Sequence, residues 1–272
     1  MTCGIFGPGL VGSYLGAAAG SQWVVPGPSG QVRATHVRLP IGVREWTPRL
    51  LTSARETLPS DRPMLVATRV HQTPWNCLPL DALCAQNGLG QARAVAVCFF
   101  AVDRDDDGVL HATGPAPRVV VGRLGRRWES ALAAWRAAGL QVDEVADIAP
   151  AQWEKTILNA TVGPLCLATG LSMAGVWAEP QLRELVIDAT REGLLIAAAN
   201  GISIPDGAEE RATTFFSEVG GHRPSVMRDP GELPSVLGHL LRSARAANVP
   251  ALALASISAR VDAARAAVAA AP

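Results

Sequence analysis

The sequence predicts two units of different class: an α/β unit with a doubly wound sheet over residues 1–148, followed by an all-helical unit over residues 149–272. Three observations carry this reading. A glycine-rich turn, G-P-G-L-V-G at residues 7–12, follows a short apolar run and opens a stretch of helical character. Continuous apolar runs then recur through the first half, as expected of strands buried on both faces. Beyond Asp147 convincing strands cease, and helical segments punctuated by Gly201, Gly207, Gly220, Gly221 and Pro250 fill the remainder.

The first strand is C-G-I-F, and the turn after it has the G-x-G-x-x-G spacing in the strand-to-helix context that a dinucleotide fingerprint requires. Gly7 permits the tight turn, Gly9 lets the backbone approach a pyrophosphate, and Gly12 lets helix and strand pack closely. Pro8, Leu10 and Val11 complete the turn, whose phosphates would lie at the positive end of the helix. A Rossmann-like dinucleotide-binding domain follows from that pattern, against the plainer alternative of a glycine-rich turn.

A second strand is expected at residues 22–25. Its end normally carries an acid that bonds the ribose of NAD, or an Arg that pairs with the extra phosphate of NADP. Here V-V-P-G-P-S-G supplies neither, and Arg33 lies a few residues on, so this position leaves the two cofactors open. Residues 63–70 read as a buried parallel strand, and residues 82–85 as another leading into Q-N-G-L-G at 86–90. Asn87 thus falls at the carboxyl edge of a strand, where open α/β sheets bind ligands, although a plain turn residue reads the same way. Residues 94–102 and 118–122 supply two more strands, 128–138 a helix and 140–145 a last strand. Helices are expected from 150 through 158 and beyond, at 180–200, 205–218 and 233–248, and in the Ala-rich tail.

Lys plus Arg and Asp plus Glu number 24 each, so the chain lacks the basic excess of a nucleic-acid or anionic-membrane binder. Five cysteines without a C-x-x-C pair point to buried reduced thiols, not to a disulfide scaffold or a metal site. No signal peptide is evident and the Ala-rich end is interrupted by Arg260, Asp262 and Arg265, so a cytoplasmic location is expected. The apolar helical half is compatible with a homodimer without demanding one.

In W-E-K-T-I-L-N-A-T-V-G-P-L, residues 153–165, Lys155 and Asn159 are four apart, so a helix sets a cation and an amide on one face. By itself this spacing more often marks a solvated face. The chain as a whole, however, resembles the ketopantoate reductase (2-dehydropantoate 2-reductase) family. The resemblance is carried by I-F-G-P-G-L-V-G at residues 5–12, L-V-A-T-R-V-H-Q-T at 65–73, Q-N-G-L-G at 86–90, H-A-T-G-P at 111–115, W-E-K-T-I-L-N-A at 153–160 and A-A-N-G-I-S-I-P at 198–205, in that order.

The resemblance implies a Rossmann domain holding NADPH, with NADH as the alternative, a helical domain closing over it, and reduction of a small 2-keto acid by hydride transfer. It implies Lys155 as the catalytic acid, Asn159 and Ser225 as substrate-binding groups, and Asn87 beside both nicotinamide and substrate. It further implies Arg69 near the cofactor, where the family usually has a Lys, and Glu232 as the acid that bonds substrate and orients the lysine. Three departures stand out. Gly163 occupies the place of a second family Asn one turn beyond Asn159, the segment from Ser225 to Glu232 is short, and no basic residue directly follows Val25. A different carbonyl substrate, a non-redox activity, or a cofactor-binding protein without turnover are the competing readings.

Overall fold

A computed structural model describes residues 3–26, 35–51, 63–89 and 94–270. Arg33 and Gly90, named above, lie outside these residues. The chain forms two compact units: residues 1–86 with 90–148, and residues 149–272 joined by the short segment 87–89.

The first unit contains β1 (Gly4–Phe6), α1 (Leu10–Ala19), β2 (Trp23–Val25), β3 (Thr35–Leu39), β4 (Gly42–Trp46), β5 (Arg49–Leu50), β6 (Met64–Val66), β7 (Leu83–Cys84), β8 (Ala96–Cys98), β9 (Ala101–Arg104), β10 (Leu110–Thr113), β11 (Arg118–Gly122), α2 (Glu129–Ala137) and β12 (Gln141–Val145). Five strands make a parallel sheet in the order β5-β2-β1-β6-β7. Its order reverses at β1, with β2 to one side and β6 to the other, which makes the carboxyl ends of β1 and β6 the topological switch point where such sheets take ligands. The apolar triplets of β1 and β6 are wholly buried, as strands covered on both faces must be.

Two smaller sheets complete this unit, β4-β3-β10-β9 and β12-β11-β8. The expected strand over 94–102 is two strands in different sheets, broken at Phe99 and Phe100. An unbroken apolar run cannot reveal such a change of sheet. The hairpin β3–β4 is an addition to the elements read from the sequence. Thr35, Val37 and Leu39 alternate inward while His36 and Arg38 face out, and Gly42 takes φ 131°. Helix α1 is fastened from both sides: Trp46 Nε1 donates to the Ser21 carbonyl at 2.7 Å, and Trp135 Nε1 of α2 donates to the Leu15 carbonyl at 3.0 Å. A Cβ on Gly16 would lie 2.7 Å from the Trp46 ring, so the indole fits only over glycine.

The second unit is helical: α3 (Ala149–Thr169), α4 (Met173–Ala178), α5 (Pro180–Ala199), α6 (Ala208–Glu218), α7 (Ser225–Arg228), α8 (Leu237–Ala246) and α9 (Leu252–Ala269). Helix α3 is its centre, because residues on all its sides are buried, from Trp153 and Ile157 to Leu165 and Cys166. Gly193 of α5 gives it close access: a Cβ there would meet the Ile157 side chain at 2.8 Å. Two helices begin later than their sequence patterns. Gly207, left-handed at φ 79°, delays α6 to Ala208, and Pro230 and Pro234 hold residues Pro230–Ser235 in a 3-10 turn ahead of α8. Pro164 lies inside α3, where it has no N–H to donate to the preceding turn.

Glu192 of α5 caps α9, its two carboxylate oxygens accepting from the backbone N–H groups of Ala253 and Leu254 at 2.8 and 2.9 Å. A carboxylate at a helix N-terminus meets both unsatisfied donors and the helix dipole. Glu192→Gln is therefore expected to lower the unfolding free energy by about 1 kcal/mol, read as a fall in Tm. Cys3, Cys84 and Cys166 are buried reduced thiols, and burial pushes those of Cys3 and Cys166 up to about 12. Those two thiols are neutral and inert at physiological pH. Among the described residues no helix is long and apolar enough to cross a membrane.

Candidate active site

In the first unit the glycine turn joins β1 to α1 at the switch point. Gly7 takes φ 76°, and a Cβ there would overlap the Thr68 side chain at 2.2 Å, so the turn is pressed against the residue just beyond β6. At Gly12 a Cβ would lie 2.6 Å from the Gly7 carbonyl oxygen and 2.9 Å from Ala67 Cβ. Gly9 differs: among the described residues nothing lies within 4 Å of its Cβ position, leaving a side open to them at the mouth of the helix.

Helix α1 has no side-chain cap at Gly9, and the N–H groups of Leu10, Val11 and Gly12 have no acceptor within the helix. Pro8 contributes its carbonyl, which accepts from Ser13 Oγ at 3.0 Å and fixes the turn. An open glycine before uncapped backbone donors fits a phosphate group, and hence the pyrophosphate of a dinucleotide.

Arg69 begins the loop after β6. It is half-buried, and its carbonyl accepts from the Gln72 N–H and from Thr73 Oγ1 at 3.0 and 2.7 Å. Thr73 Oγ1 also lies 2.8 Å from Thr68 Oγ1 and accepts from Gln86 Nε2 at 2.7 Å. This polar knot ties the ends of β6 and β7 to the glycine turn through Thr68.

The second unit assembles residues that are far apart in sequence into one string of hydrogen bonds. Asn159 Nδ2 on α3 donates to Asn87 Oδ1 at 2.8 Å, Asn87 Nδ2 reaches Ser225 Oγ at 3.5 Å, and Ser225 Oγ donates to Glu232 Oε2. Glu232 is buried in the 3-10 turn, and its carbonyl accepts from Ser235 Oγ at 2.8 Å. Ser235 in turn touches the Asn87 segment: Gly88 takes φ 98°, and a Cβ on it would lie 2.6 Å from the Ser235 carbonyl oxygen. The string therefore closes into a ring through Asn87, Ser225, Glu232 and Ser235.

Lys155 stands one helical turn before Asn159 on α3, with its ammonium nitrogen 5.0 Å from the centre of the Phe215 ring. It is the only lysine in the sequence. Every other basic residue apart from histidine is an Arg, whose guanidinium does not give up a proton in the working range, whereas a lysine can. That count is legible in the sequence without any motif. Next to it, Glu154 is buried and held by Arg211, with Nε and Nη2 at 2.7 and 3.2 Å from its two oxygens. The carboxylate bond holds the Arg211 guanidinium above its usual range.

Gly163, the next position along the row of Lys155 and Asn159, is covered. A Cβ there would meet Val226 Cγ1 at 3.2 Å and the Pro224 ring at 3.8 and 3.9 Å. The absence of a side chain at 163 is what lets α7 lie so close to α3, and it brings Ser225, between those two neighbours, to the string.

The architecture is a dinucleotide-type parallel sheet unit followed by a helical unit. Residues 147–265 match the family model described as ketopantoate reductase PanE/ApbA C terminal. A curated 2-dehydropantoate 2-reductase from Halobacterium salinarum is 24% identical over 183 residues, and this match spans only 60% of this chain and 60% of that relative. Among solved structures, a 2-dehydropantoate 2-reductase from Geobacter metallireducens GS-15 superposes with a TM-score of 0.78 at 22% identity, over 96% of this chain and 99% of that one. A D-mandelate dehydrogenase with NADH and anilino(oxo)acetate has a TM-score of 0.75 at 17% identity, over 97% and 98%. Residues 147–265 are thus similar to the C-terminal part of the ketopantoate reductase family, and the chain shares the fold of these solved structures.

Proposed function

We propose that this protein reduces a small 2-oxo acid to the 2-hydroxy acid with a nicotinamide dinucleotide, NADPH in the first instance and NADH as the alternative. The observation that carries the reading is the placement of the only lysine one turn from an asparagine that is hydrogen-bonded into the Asn87–Ser225–Glu232 string. When bound, the reduced nicotinamide supplies the hydride. The chain's own residues then have to hold the oxo acid and deliver one proton.

Negative charge develops on the carbonyl oxygen as its carbon is reduced, and the Lys155 ammonium stabilises that charge and transfers a proton to it. Asn159 and Asn87 offer amide groups to the substrate, Ser225 turns its hydroxyl from Glu232 to the substrate carboxylate, and Glu232 bonds the substrate and orients the lysine. Gly7, Pro8, Gly9, Leu10, Val11 and Gly12 bind the pyrophosphate, with Arg69 beside the cofactor. The same reading takes the protein as cytoplasmic, with the apolar helical half compatible with a homodimer.

Gly9→Val tests the cofactor half of the reading. Valine fits the extended backbone at 9 (φ −67°, ψ −166°), and its Cβ meets nothing within 4 Å among the described residues, so folding should be unchanged. NADPH affinity, measured by fluorescence titration, is expected to fall at least about tenfold because the side chain fills the phosphate's approach.

The covered Gly163 favours a second reading of the substrate. With Val226 where an amide would reach, a hydroxyl at the far end of the substrate lacks that amide partner, and an apolar 2-oxo acid is the better fit. A screen of NADPH and NADH oxidation against hydroxylated and apolar 2-oxo acids decides between them. The cognate pair is expected to turn over on the order of 10 per second, and ketopantoate reaching that rate would remove the altered-substrate reading. Failure of every 2-oxo acid with both cofactors would remove the proposed activity.

A further inference from the structure

The contact between Lys155 and Phe215 joins two helices that are already locked in register. Glu154, the residue before Lys155, grips Arg211, and Phe215 lies one turn beyond Arg211 on α6. Arg211 also donates to the carbonyls of Pro205 and Asp206, so the start of α6 is fastened at the same point.

The Phe215 ring is itself immobilised. It is buried, it meets the Phe216 ring edge-on at 5.9 Å and 73°, and Phe216 packs on Trp177 of α4 at 5.5 Å. A rigid aromatic face is therefore presented to an ammonium on a flexible four-carbon stem. The negative face of a benzene ring attracts a cation within about 6 Å of its centre, and the observed 5.0 Å is inside that range. An aliphatic side chain of similar volume would fill the space without that attraction.

The geometry points to Phe215 as a positioning residue that holds the Lys155 ammonium by its ring face and so sets where the proton is delivered. This rests on the proposed role of Lys155 as the acid. A proton donor has to be held closely, because a misplacement of about 1 Å costs on the order of a hundredfold in rate. Phe215 needs no contact with substrate to have this effect, since it acts only through the amine.

Fluorinated phenylalanines at position 215 test the assignment, since successive fluorines weaken the ring's negative face and nearly preserve its shape. With the best 2-oxo acid from the screen, kcat is expected to fall stepwise to about a tenth with trifluorophenylalanine. KM and Tm should stay unchanged, Phe215→Tyr and Phe215→Trp should retain turnover, and Phe215→Leu should lose it. A readout independent of activity is available because the chain has a single lysine. In protein labelled with [13C]lysine and carrying no lysine in its tag, the Lys155 ε-methylene protons should resonate upfield under the ring, and the shift should vanish in Phe215→Leu.

A flat kcat across the fluorinated series, or an ordinary ε-methylene shift in the native protein, overturns the assignment. Lys155→Ala separates the two levels. Loss of turnover in that variant with a flat fluorinated series removes Phe215 alone, whereas full turnover in Lys155→Ala removes the acid role and the Phe215 assignment together.

Discussion

Lys155→Ala is expected to lower kcat by about 10²–10⁴-fold, the usual contribution of a positioned acid, with little change in NADPH affinity. The decisive companion is Lys155→Arg. It keeps the positive charge and nearly the same reach, but its guanidinium does not release a proton at working pH. If Lys155 acts by proton transfer, Arg should restore at most a small part of the lost rate. If it acts only as a fixed charge, Arg should restore most of it. Single-turnover measurements, with cofactor binding followed separately, distinguish these outcomes, and an unimpaired Lys155→Ala would sink the acid role altogether. With only one lysine in the chain, no neighbouring amine can substitute.

Gly88→Ala is expected to have the second largest effect. The backbone there is left-handed at φ 98°, and the added methyl would lie 2.6 Å from the Ser235 carbonyl oxygen and 3.0 Å from Ser235 Cβ. Neither atom belongs to a flexible side-chain end, so either the Asn87 segment or the Pro230–Ser235 turn must move. Strain and overpacking together should destabilise the second unit by about 3 kcal/mol. The move also separates Asn87 from Ser225, a contact already long at 3.5 Å, and shifts Glu232 behind it. A fall in kcat/KM of about a hundredfold is expected even at temperatures where the variant is fully folded. Unchanged Tm and unchanged kinetics would show that the ring closed through Ser235 has no bearing on the site. Gly9→Val provides the contrast, since there the added Cβ meets nothing within 4 Å among the described residues.

The strands that were legible in the sequence are those whose apolar runs are buried on both faces, such as Met64–Val66 and Arg118–Gly122. The hairpin from Thr35 to Trp46 is not legible as an apolar run because its inward residues are separated by His36, Arg38 and other polar groups, and its role is to place Trp46 over Gly16. Helix starts depart from the sequence pattern where a local conformation overrides composition, at Gly207 and in the Pro230–Ser235 turn.

The members of the candidate site were legible for a different reason. Spacing alone set Lys155 and Asn159 on one face, and family motifs supplied Asn87, Ser225 and Glu232. What spacing could not supply is how they meet, since Asn87 is 72 residues from Asn159 and 138 from Ser225. The groups that act through others were invisible altogether. Phe215 looks like an ordinary core aromatic and Gly88 like an ordinary turn residue until the ring is found under the amine and the turn against Ser235. Gly163 is intermediate: the sequence marks the missing amide, and only the structure reveals Val226 lying over its place.

The central claim is that hydride passes from a nicotinamide to the carbonyl carbon of a 2-oxo acid on this protein, and isotope transfer tests it most directly. Turnover with NADPH carrying deuterium at both C4 positions should give a 2-hydroxy acid with one deuterium at C2, in amount equal to the NADPH consumed. In deuterated water with unlabelled NADPH, the C2 position should carry hydrogen only. A product lacking the cofactor's deuterium, or one formed without loss of NADPH absorbance, would contradict the account.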